Sequence, residues 1–399
     1  MIVHVMLFDP SSHEPLVGVA WDEGRARAAV AEIVGRTEAA FDPVELWPAH
    51  PLDEEEGLLP RVASIYLGAA GVIWGLHALE RAGAVELRRA WSDVATGLVE
   101  AYRAAPDFPE LVDGPVPSLL MGEAGILLVA HTLAPAAWRE RRLLEVVLGN
   151  ADNPTWEMFW GSPGTMLAAA AMVERTGDST WREAWKASAD RLWNRWRGDL
   201  WQQDHYGSHL HILGAAHGFA GNVLALARGD LLDAARRVEL ERRAVATLAR
   251  HAIRADGLAQ WPASLEPSSR GLRTQWCHGA PGIVTSLAAL VPADEQLTEL
   301  LRAGGELTWQ AGPLRKGASL CHGTAGNGYA FLALFARTGD QRWLDRARAF
   351  AMHAIAQVEL AVARDGRGRH TLWTGDPGTA LYLHGCLTVT SAFPMLDRF

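Results

Sequence analysis

A Gly-x-x-Gly pair followed by an apolar stretch occurs seven times in this chain, and this feature constrains the fold more than any other. The pairs are Gly68–Gly71, Gly122–Gly125, Gly161–Gly164, Gly218–Gly221, Gly279–Gly282, Gly323–Gly326 and Gly375–Gly378. Their first glycines are separated by 54, 39, 57, 61, 44 and 52 positions. One such pair carries little information, but seven at a period of roughly 50 residues are typical of a repeat architecture.

Each glycine pair opens a segment that is apolar on nearly all sides, which predicts a buried helix. Examples are Ile126–Thr132, Thr165–Val173 and Tyr329–Phe335. A more charged stretch then predicts an amphipathic outer helix. Examples are Val85–Ala104, Trp181–Arg197, Leu231–Ile253 and Trp343–Gln357.

The turn between the two predicted helices is repeated as well. Gly177 and Gly339 each lie 16 positions after the first glycine of their repeat, where glycine suits the left-handed residue that ends a helix. Asp178 and Asp340 follow directly and suit the N-cap of the next helix. The repeating unit is therefore an inner buried helix, a tight turn and an outer helix.

Seven such hairpins predict an all-α fold, an α/α toroid or double-layered helical barrel, because an open solenoid would expose its core at one end. We expect residues 1–57 to form an N-terminal extension packed on the barrel, and residues 58–399 to form one seven-hairpin domain. Within the extension, Ile2–Phe8 is the one strand-like stretch. The acidic run Asp53–Glu56 is interpreted as a solvated loop.

The composition of the 399 residues excludes several classes of function. The net charge of −9 argues against a nucleic-acid binder or a protein held on anionic lipid by electrostatics. No apolar run approaches the ~18 residues that cross a bilayer, and Met1–Pro10 lacks the basic start and cleavage site of a secretory signal. Three cysteines cannot form a disulfide framework, so we expect a reducing, cytoplasmic setting.

The repeats also place side chains in register, because the residue before each first glycine lies at the mouth of an inner helix. This position is occupied by Leu67, Met121, Trp160, His217, His278, His322 and Thr374. One residue earlier the order is Tyr66, Leu120, Phe159, Ala216, Cys277, Cys321 and Trp373. We call these two sets the rim rows; three consecutive repeats present a histidine in one of them, and two adjacent repeats present a cysteine in the other.

Cys277, Cys321 and His322 are the candidate metal ligands. Two thiolates and one imidazole with an open fourth position form the donor set of a catalytic zinc site, and sulfur ligands favour zinc over magnesium or calcium. The alternative is that both cysteines are small buried hydrophobic residues and that the histidine caps a helix. The Cys-His-Gly-x-x-Gly units of neighbouring repeats favour one Zn²⁺ ion, whereas Cys386 lies outside this register and is expected in the core.

These motifs resemble the signatures of the lanthionine synthetase C-like (LanC-like) family. Residues 276–282 and 316–327 are similar to its two zinc-binding segments, and residues 217–221 to its active-site His-Gly motif. The resemblance extends from about Leu59 to Leu387 through all seven glycine pairs. It implies an α/α toroid of seven hairpins, with a central zinc ion that activates a thiol for addition to a dehydroamino acid.

Two subgroups of the family differ at these positions. Lanthipeptide cyclases, which close thioether rings within a precursor peptide, usually have Tyr after the first zinc cysteine, where this chain has His278. His278 and the approach Arg315–Gly317 are more similar to the stand-alone LanC-like proteins. For those, the family's activity is addition of glutathione to dehydroalanine or dehydrobutyrine residues.

We therefore expect a dehydroamino-acid-containing peptide or protein as partner and glutathione as a candidate co-substrate. The alternatives are a lanthipeptide cyclase and a non-catalytic regulator that binds zinc or glutathione. An α/α-barrel glycosidase would need two facing carboxylates at the mouth, and the rim rows supply cysteine and histidine instead.

The resemblance also suggests roles for single residues. His217 is the candidate general acid/base, because it lies in the histidine rim row and the ordinary pKa of histidine is near neutrality. His278 is a candidate proton donor, with orientation of a metal ligand as the alternative. Arg273, just before the first zinc segment, would stabilise an enolate oxygen. Glu157 stands where the cyclases have an active-site aspartate, and a helix-flanking carboxylate is the alternative.

Lys316 and Arg369 are the candidate contacts for the carboxylates of glutathione. Lys316 corresponds to a lysine that the stand-alone proteins use near glutathione, and Arg369 lies just before the seventh glycine pair. A solvated lysine is the alternative for Lys316. The sequence leaves open the peptide substrate, the role of the N-terminal extension and the oligomeric state.

Overall fold

The structure is a computed structural model, and it describes residues 6–54, 61–108, 114–267, 271–290, 295–397 and 399. Over these residues the helices are α1 (Glu23–Ala39), α2 (Pro51–Glu54), α3 (Ala69–Arg81), α4 (Ser92–Ala104), α5 (Glu123–Leu133), α6 (Ala137–Gly149), α7 (Ser162–Thr176), α8 (Ser179–Arg195), α9 (Phe219–Ala227), α10 (Ala234–His251), α11 (Ala280–Leu287), α12 (Glu295–Ala311), α13 (Thr324–Thr338), α14 (Gln341–Asp365) and α15 (Asp376–Thr388). The strands are β1 (Gln203–His205), β2 (Ser208–Leu210), β3 (Ile253–Ala255) and β4 (Leu258–Gln260). None of the helices in these ranges has the length and apolar character that crossing a membrane requires.

Each of the seven glycine pairs begins a buried helix, as predicted. These inner helices are α3, α5, α7, α9, α11, α13 and α15, and each starts directly after the first glycine of its pair. A Cβ atom on the second glycine would lie only 1.8–2.2 Å from the carbonyl oxygen of the residue six positions earlier, as for Gly71 and Ile65 or Gly326 and Leu320. Loop and helix thus meet backbone to backbone, and only glycine permits that approach.

The inner helices contact one another in chain order, and α15 contacts α3, so they close into a ring. The outer helices α4, α6, α8, α10, α12 and α14 each pack against the inner helix that precedes them. The outer position beside α15 is held by α1, whose buried face includes Ala26, Val30 and Ile33. The fold is the predicted α/α toroid, with its seventh pair completed by a helix from the N-terminal segment.

The turn between paired helices follows the predicted pattern. Gly177 and Gly339 are left-handed, with φ of 69° and 68°. Asp178 then accepts a hydrogen bond from the amide of Thr180, and Asp340 accepts one from the amide of Arg342. These caps stop one helix and start the next within a few residues, which folds each pair into an antiparallel hairpin.

The N-terminal segment is more closely joined to the barrel than its place in the sequence indicates. The division between residues 57 and 58 stays a prediction, but α1 contacts both α15 and α14. Its Glu38 carboxylate also accepts a hydrogen bond from the amide of Arg88 (3.0 Å). Residues 85–91 are not helical, so α4 begins at Ser92 rather than at the predicted Val85.

Two short antiparallel hairpins, β1–β2 and β3–β4, interrupt the helical pattern. Their two-residue turns, Tyr206-Gly207 and Asp256-Gly257, have positive φ at both positions, as type I′ turns require. Of the strand expected at Ile2–Phe8, residues 2–5 lie outside the described residues, and residues 6–8 are not in a strand.

Candidate active site and metal centre

A belt of backbone hydrogen bonds joins one rim row across the mouth of the barrel. The amide of each residue donates to the carbonyl of its equivalent in a neighbouring repeat: Cys277 to Cys321 (3.1 Å), Cys321 to Trp373 (2.9 Å), Trp373 to Tyr66 (3.3 Å) and Tyr66 to Leu120 (2.9 Å). Equivalent positions of adjacent repeats are therefore spatial neighbours. The two cysteines, 44 positions apart in the sequence, lie side by side for this reason.

Cys277, Cys321 and His322 form a compact cluster at this mouth. One ligand atom of each lies within 4.8 Å of the others, with both cysteines buried and the histidine half-buried. Two further side chains contact the sulfurs: Gln275 Nε2 donates to Cys277 Sγ (2.8 Å), and the Tyr66 side chain hydrogen-bonds to Cys321. Donors aimed at sulfur stabilise a thiolate, which is the form that binds a metal.

The cluster fits a cation. The hydrogen bond from Cys321, together with the nearby His278 and His322, lowers the pKa of the Cys277 thiol well below its ordinary value. Burial, and next the adjacent Cys277, raise the pKa of the Cys321 thiol, because a second buried negative charge is unfavourable beside the first. A cation removes that conflict. Two thiolates and one imidazole, with no fourth protein ligand in the cluster of described residues, match a catalytic zinc site.

A second polar cluster is built around His217. Its Nδ1 lies 2.9 Å from Glu157 Oε2, and the Glu157 side chain is fully buried. The same carboxylate accepts hydrogen bonds from the amides of Phe159 (2.8 Å) and Trp160 (2.7 Å). The carboxylate therefore acts as an acceptor on all sides, which assigns the His217 proton to Nδ1 and the lone pair to Nε2.

His278 lies between the two clusters. It follows the candidate ligand Cys277 directly, and its ring is nearly parallel to that of His217, with centroids 5.9 Å apart. The structure thus brings the predicted histidines 217, 278 and 322 to one mouth of the barrel. Glu157 is the buried partner of His217 rather than a helix-flanking, exposed carboxylate.

The three predicted cationic residues have different surroundings. Arg273 is half-buried four residues before Cys277 and makes no ion pair with the described residues. Lys316 is exposed and lines a groove that also contains His50 and Arg369. The guanidinium of Arg369 is buried and already bound to a carboxylate: its Nε donates to Asp53 Oδ1 (2.7 Å).

Asp53 corrects one interpretation of the sequence. It belongs to the acidic run that was expected to be a solvated loop, yet it is buried in α2 and paired with Arg369. Glu55 and Glu56 of the same run lie outside the described residues. Nothing in the run of acidic side chains indicated that one of them closes the seam between the N-terminal segment and the barrel.

The N-terminal segment also crosses the mouth beside both cysteine loops. The carbonyl of Leu7 accepts a hydrogen bond from Gln260 Nε2 (3.2 Å), which also donates to Thr274 Oγ1 (3.0 Å) before Cys277. Further along, the carbonyl of Ser12 accepts one from the amide of Arg315 (3.1 Å), beside Lys316. Residues 7–12 therefore join the two loops that carry the candidate thiolates.

Sequence reasoning missed three residues of these clusters. Tyr66 stands in a rim row, so the register held a signal for it. Gln275 lies two residues before Cys277 and has no counterpart in the next repeat. His205, on β1, has its Nε2 3.2 Å from His217 Nδ1, and no repeat pattern marks it because the hairpin is an insertion. The rim residue Trp373 is fully buried, so it packs in the core beneath the mouth.

The fold and the two clusters define a class, the α/α toroids with a Cys₂His centre at the mouth. The chain belongs to the LanC-like family: the model of that family, "Lanthionine synthetase C-like protein", matches residues 60–397.

Individual relatives agree with this assignment. "Glutathione S-transferase LANCL1" of Danio rerio is 36% identical over 157 residues, 38% of this chain and 36% of the relative. "LanC-like protein GCL1" of Arabidopsis thaliana is 34% identical over 137 residues, 32% of this chain and 31% of the relative. The chain thus matches about a third of the length of these relatives. Among solved structures, "Nisin cyclase" matches with a TM-score of 0.59 and 15% identity, covering 86% of this chain and 96% of that one; this likeness concerns the fold.

Proposed function

We propose that the protein adds a thiol, with glutathione as the leading candidate, to dehydroalanine or dehydrobutyrine residues of a peptide or protein, in a zinc-dependent reaction. The observation that carries the proposal is the Cys277–Cys321–His322 cluster, buried at the mouth of the toroid beside the His217–Glu157 pair. The name of the zebrafish relative supports glutathione as the thiol.

The reaction needs a nucleophilic sulfur at neutral pH, where a free thiol with a pKa of about 8.5 is mostly protonated. Cys277, Cys321 and His322 would hold the Zn²⁺, which lowers the pKa of a thiol bound in its open position. Gln275 and Tyr66 keep the two cysteine sulfurs oriented.

The addition forms a C–S bond at the β-carbon, and the electron pair of the double bond moves to the carbonyl as an enolate. His217 Nε2 carries the lone pair that takes the thiol proton, and the resulting imidazolium returns it to the α-carbon. Buried Glu157 fixes the ring through Nδ1 and stabilises the imidazolium. Atoms balance because the proton that leaves sulfur ends on carbon.

The remaining side chains would contact the substrates. Arg273, which is half-buried and makes no ion pair with the described residues, is the proposed partner of the enolate oxygen. Lys316 is the proposed partner of a glutathione carboxylate. Arg369 is a weaker proposal for that role, because Asp53 already neutralises it. His278, stacked near His217, would assist proton delivery or orient Cys277.

Mass spectrometry of a peptide that contains both dehydroalanine and a free cysteine, incubated with the zinc-loaded protein and glutathione, tests this proposal. A product heavier by one glutathione supports it, whereas an unchanged mass with loss of a free peptide thiol would indicate a cyclase. Retained zinc with neither addition of glutathione nor loss of the peptide thiol would indicate a binding protein. Cys277→Ala should be inactive, and Cys386→Ala, which alters the core away from the mouth, is the matched control.

A further inference from the structure

His205 lies at the end of β1, next to the tip of the first hairpin, and faces His217. Its Nε2 is 3.2 Å from His217 Nδ1, and the two ring centroids are 4.7 Å apart at an interplanar angle of 72°. This edge-on approach directs one ring nitrogen at the other rather than stacking the faces. His217 Nδ1 therefore has two neighbours, Glu157 and His205.

The position of the proton on His217 decides how Glu157, His217 and His205 interact. Glu157 accepts hydrogen bonds from two backbone amides, so the proton shared with His217 belongs to Nδ1 of the histidine. His205 Nε2 faces that same N–H and can only accept from it. Burial lowers the pKa of His205 to about 4, so at neutral pH its ring is uncharged and has a lone pair to offer.

The hairpin is anchored so that His205 stays in this place. The amide of Asp204 donates to the carbonyl of Pro154 (3.1 Å), and Gln203 Oε1 accepts from the amide of Ile212 (3.0 Å). At the tip, Trp160 Nε1 donates to Tyr206 Oη (3.2 Å). Residues on both sides of the hairpin and one rim tryptophan thus hold β1 against the mouth.

We propose that His205 is a positioning residue: its Nε2 accepts from the Nδ1–H of His217, holds the ring in the Nδ1–H tautomer and leaves Nε2 as the base. This deepens the proposed function, on which its catalytic consequence rests, whereas the tautomer of His217 is independent of any activity. Glu157 supplies the charge in this arrangement, and His205 supplies the second acceptor on the same hydrogen.

The expected change at His217 on replacement of His205 follows from the groups that surround these two histidines. The charged or titratable groups around His205 are His217, Glu157 and His278, with Tyr206 in ring contact. A neutral acceptor on Nδ1–H favours that neutral tautomer of His217 over the Nε2–H tautomer. Replacing His205 by a residue without a lone pair should therefore shift the His217 ring towards a mixture of the two tautomers.

The direct test is NMR of the full-length, zinc-loaded protein labelled with ¹⁵N-histidine, with the His217 signals assigned by their loss in His217→Gln. Long-range ¹H–¹⁵N spectra at neutral pH report the tautomer of that ring. We expect the Nδ1–H tautomer in the wild type and a mixture of tautomers in His205→Phe. His205→Gln, which restores an acceptor, should recover the wild-type tautomer in part.

His209→Phe is the matched control, because His209 is exposed on β2 of the same hairpin and should leave the His217 signals unchanged. A wild-type tautomer of His217 in His205→Phe would overturn the proposal. If the phenylalanine variant does not fold, His205→Ala, which removes the acceptor without adding bulk, decides the question by the same spectra.

Kinetics separate this inference from the proposed function. In an active enzyme His205→Phe should lower kcat about three- to tenfold, the equivalent of one neutral hydrogen bond. The KM for the thiol should stay unchanged. A wild type without turnover whose His217 signal still responds to His205→Phe would refute the reaction and uphold the positioning role. A changed KM with an unchanged kcat would contradict the positioning role.

Discussion

The mouth of the toroid has two halves that are built in different ways. The sulfur half takes Cys277, Cys321 and His322 from equivalent positions of two adjacent repeats, which the backbone belt makes spatial neighbours. The acid–base half joins His217, which is in the repeat register, to Glu157 from a preceding turn and to His205 from an inserted hairpin.

This difference separates what repetition provides from what insertions add. Repeats have a fixed geometry, so residues at equivalent positions of adjacent repeats lie side by side. The acid–base half depends on the path of loops between repeats, because Glu157 reaches His217 only where the turn before Gly161 folds back. The two halves should therefore respond separately to substitution, and the following experiments are arranged from the largest expected effect to the smallest.

Removal of one thiolate should abolish zinc binding by the sulfur half. In Cys277→Ala we expect zinc, measured by inductively coupled plasma mass spectrometry, to fall from one ion per chain to a small fraction, and thiol addition to be lost, because two ligands hold zinc poorly. Cys386→Ala should keep its zinc. Full zinc occupancy in Cys277→Ala would refute the assignment of this ligand.

Removal of the base should leave the sulfur half intact. In His217→Gln we expect kcat to fall about 10²- to 10⁴-fold, the usual contribution of general acid–base catalysis, with zinc content unchanged. Steady-state kinetics and metal analysis on the same preparation check this. If zinc were lost together with activity, the two halves would be one unit.

The two halves should depend equally on the glycine scaffold. A Cβ at Gly326, in the sulfur half, would lie 1.8 Å from Leu320 O, and one at Gly221, in the acid–base half, 2.2 Å from Ala215 O. Each Gly→Ala substitution should lower the free energy of unfolding by about 3 kcal/mol or more, from backbone overlap.

Gly177→Ala serves as the control for these variants, because it has open space around it and only a positive φ. Its cost should be about 1 kcal/mol. Urea denaturation of the three variants compares them directly. A loss at Gly326 no larger than that at Gly177 would contradict the overlap argument.

The smallest effect concerns Asp376 at the start of α15. Burial raises its pKa from 3.8 to about 6, so the folded state binds a proton that the unfolded state releases. This contribution to stability is fully present below pH 3.8 and is lost as the pH rises through about 6. Wild type should therefore lose about 3 kcal/mol relative to Asp376→Asn over that interval.

Urea denaturation at several pH values measures this difference. Neighbouring His370, whose pKa burial lowers to about 4, has the opposite sign and loses stability as the pH falls through 6.5 towards 4. It is present in both proteins and cancels in the comparison. A pH-independent difference between wild type and Asp376→Asn would show that the carboxyl does not titrate in this range.

Much of the fold could be predicted because its cause is local and repeated. Gly177 with Asp178, and Gly339 with Asp340, specify their turns by backbone conformation and capping alone. The tight approach of loop and helix selects glycine seven times. Helix α1 could not be placed in the same way, since its apolar face shows that it packs but not that it packs on α15.

The candidate site divides similarly. Cys277, Cys321, His322 and His217 stand in the rim rows, so alignment of the repeats was sufficient to bring them together. Asp53 and His205 have no counterpart in the repeats, and their partners Arg369 and His217 lie 316 and 12 positions away. A loop's path between two anchored ends depends on side chains throughout the rim, which no local pattern encodes.

The amino-acid sequence by itself determined the number of hairpins and the register of the mouth, and it singled out the candidate ligands of the sulfur half. Each follows from glycine geometry and from a period that recurs along the chain. Tertiary structure decided that α1 completes the outer ring, that Asp53 pairs with Arg369 and that His205 lies within hydrogen-bonding distance of His217. Each of these contacts joins a segment outside the repeats to a residue or helix within them. The partner of such a segment depends on its path over the folded barrel, which the local sequence does not encode.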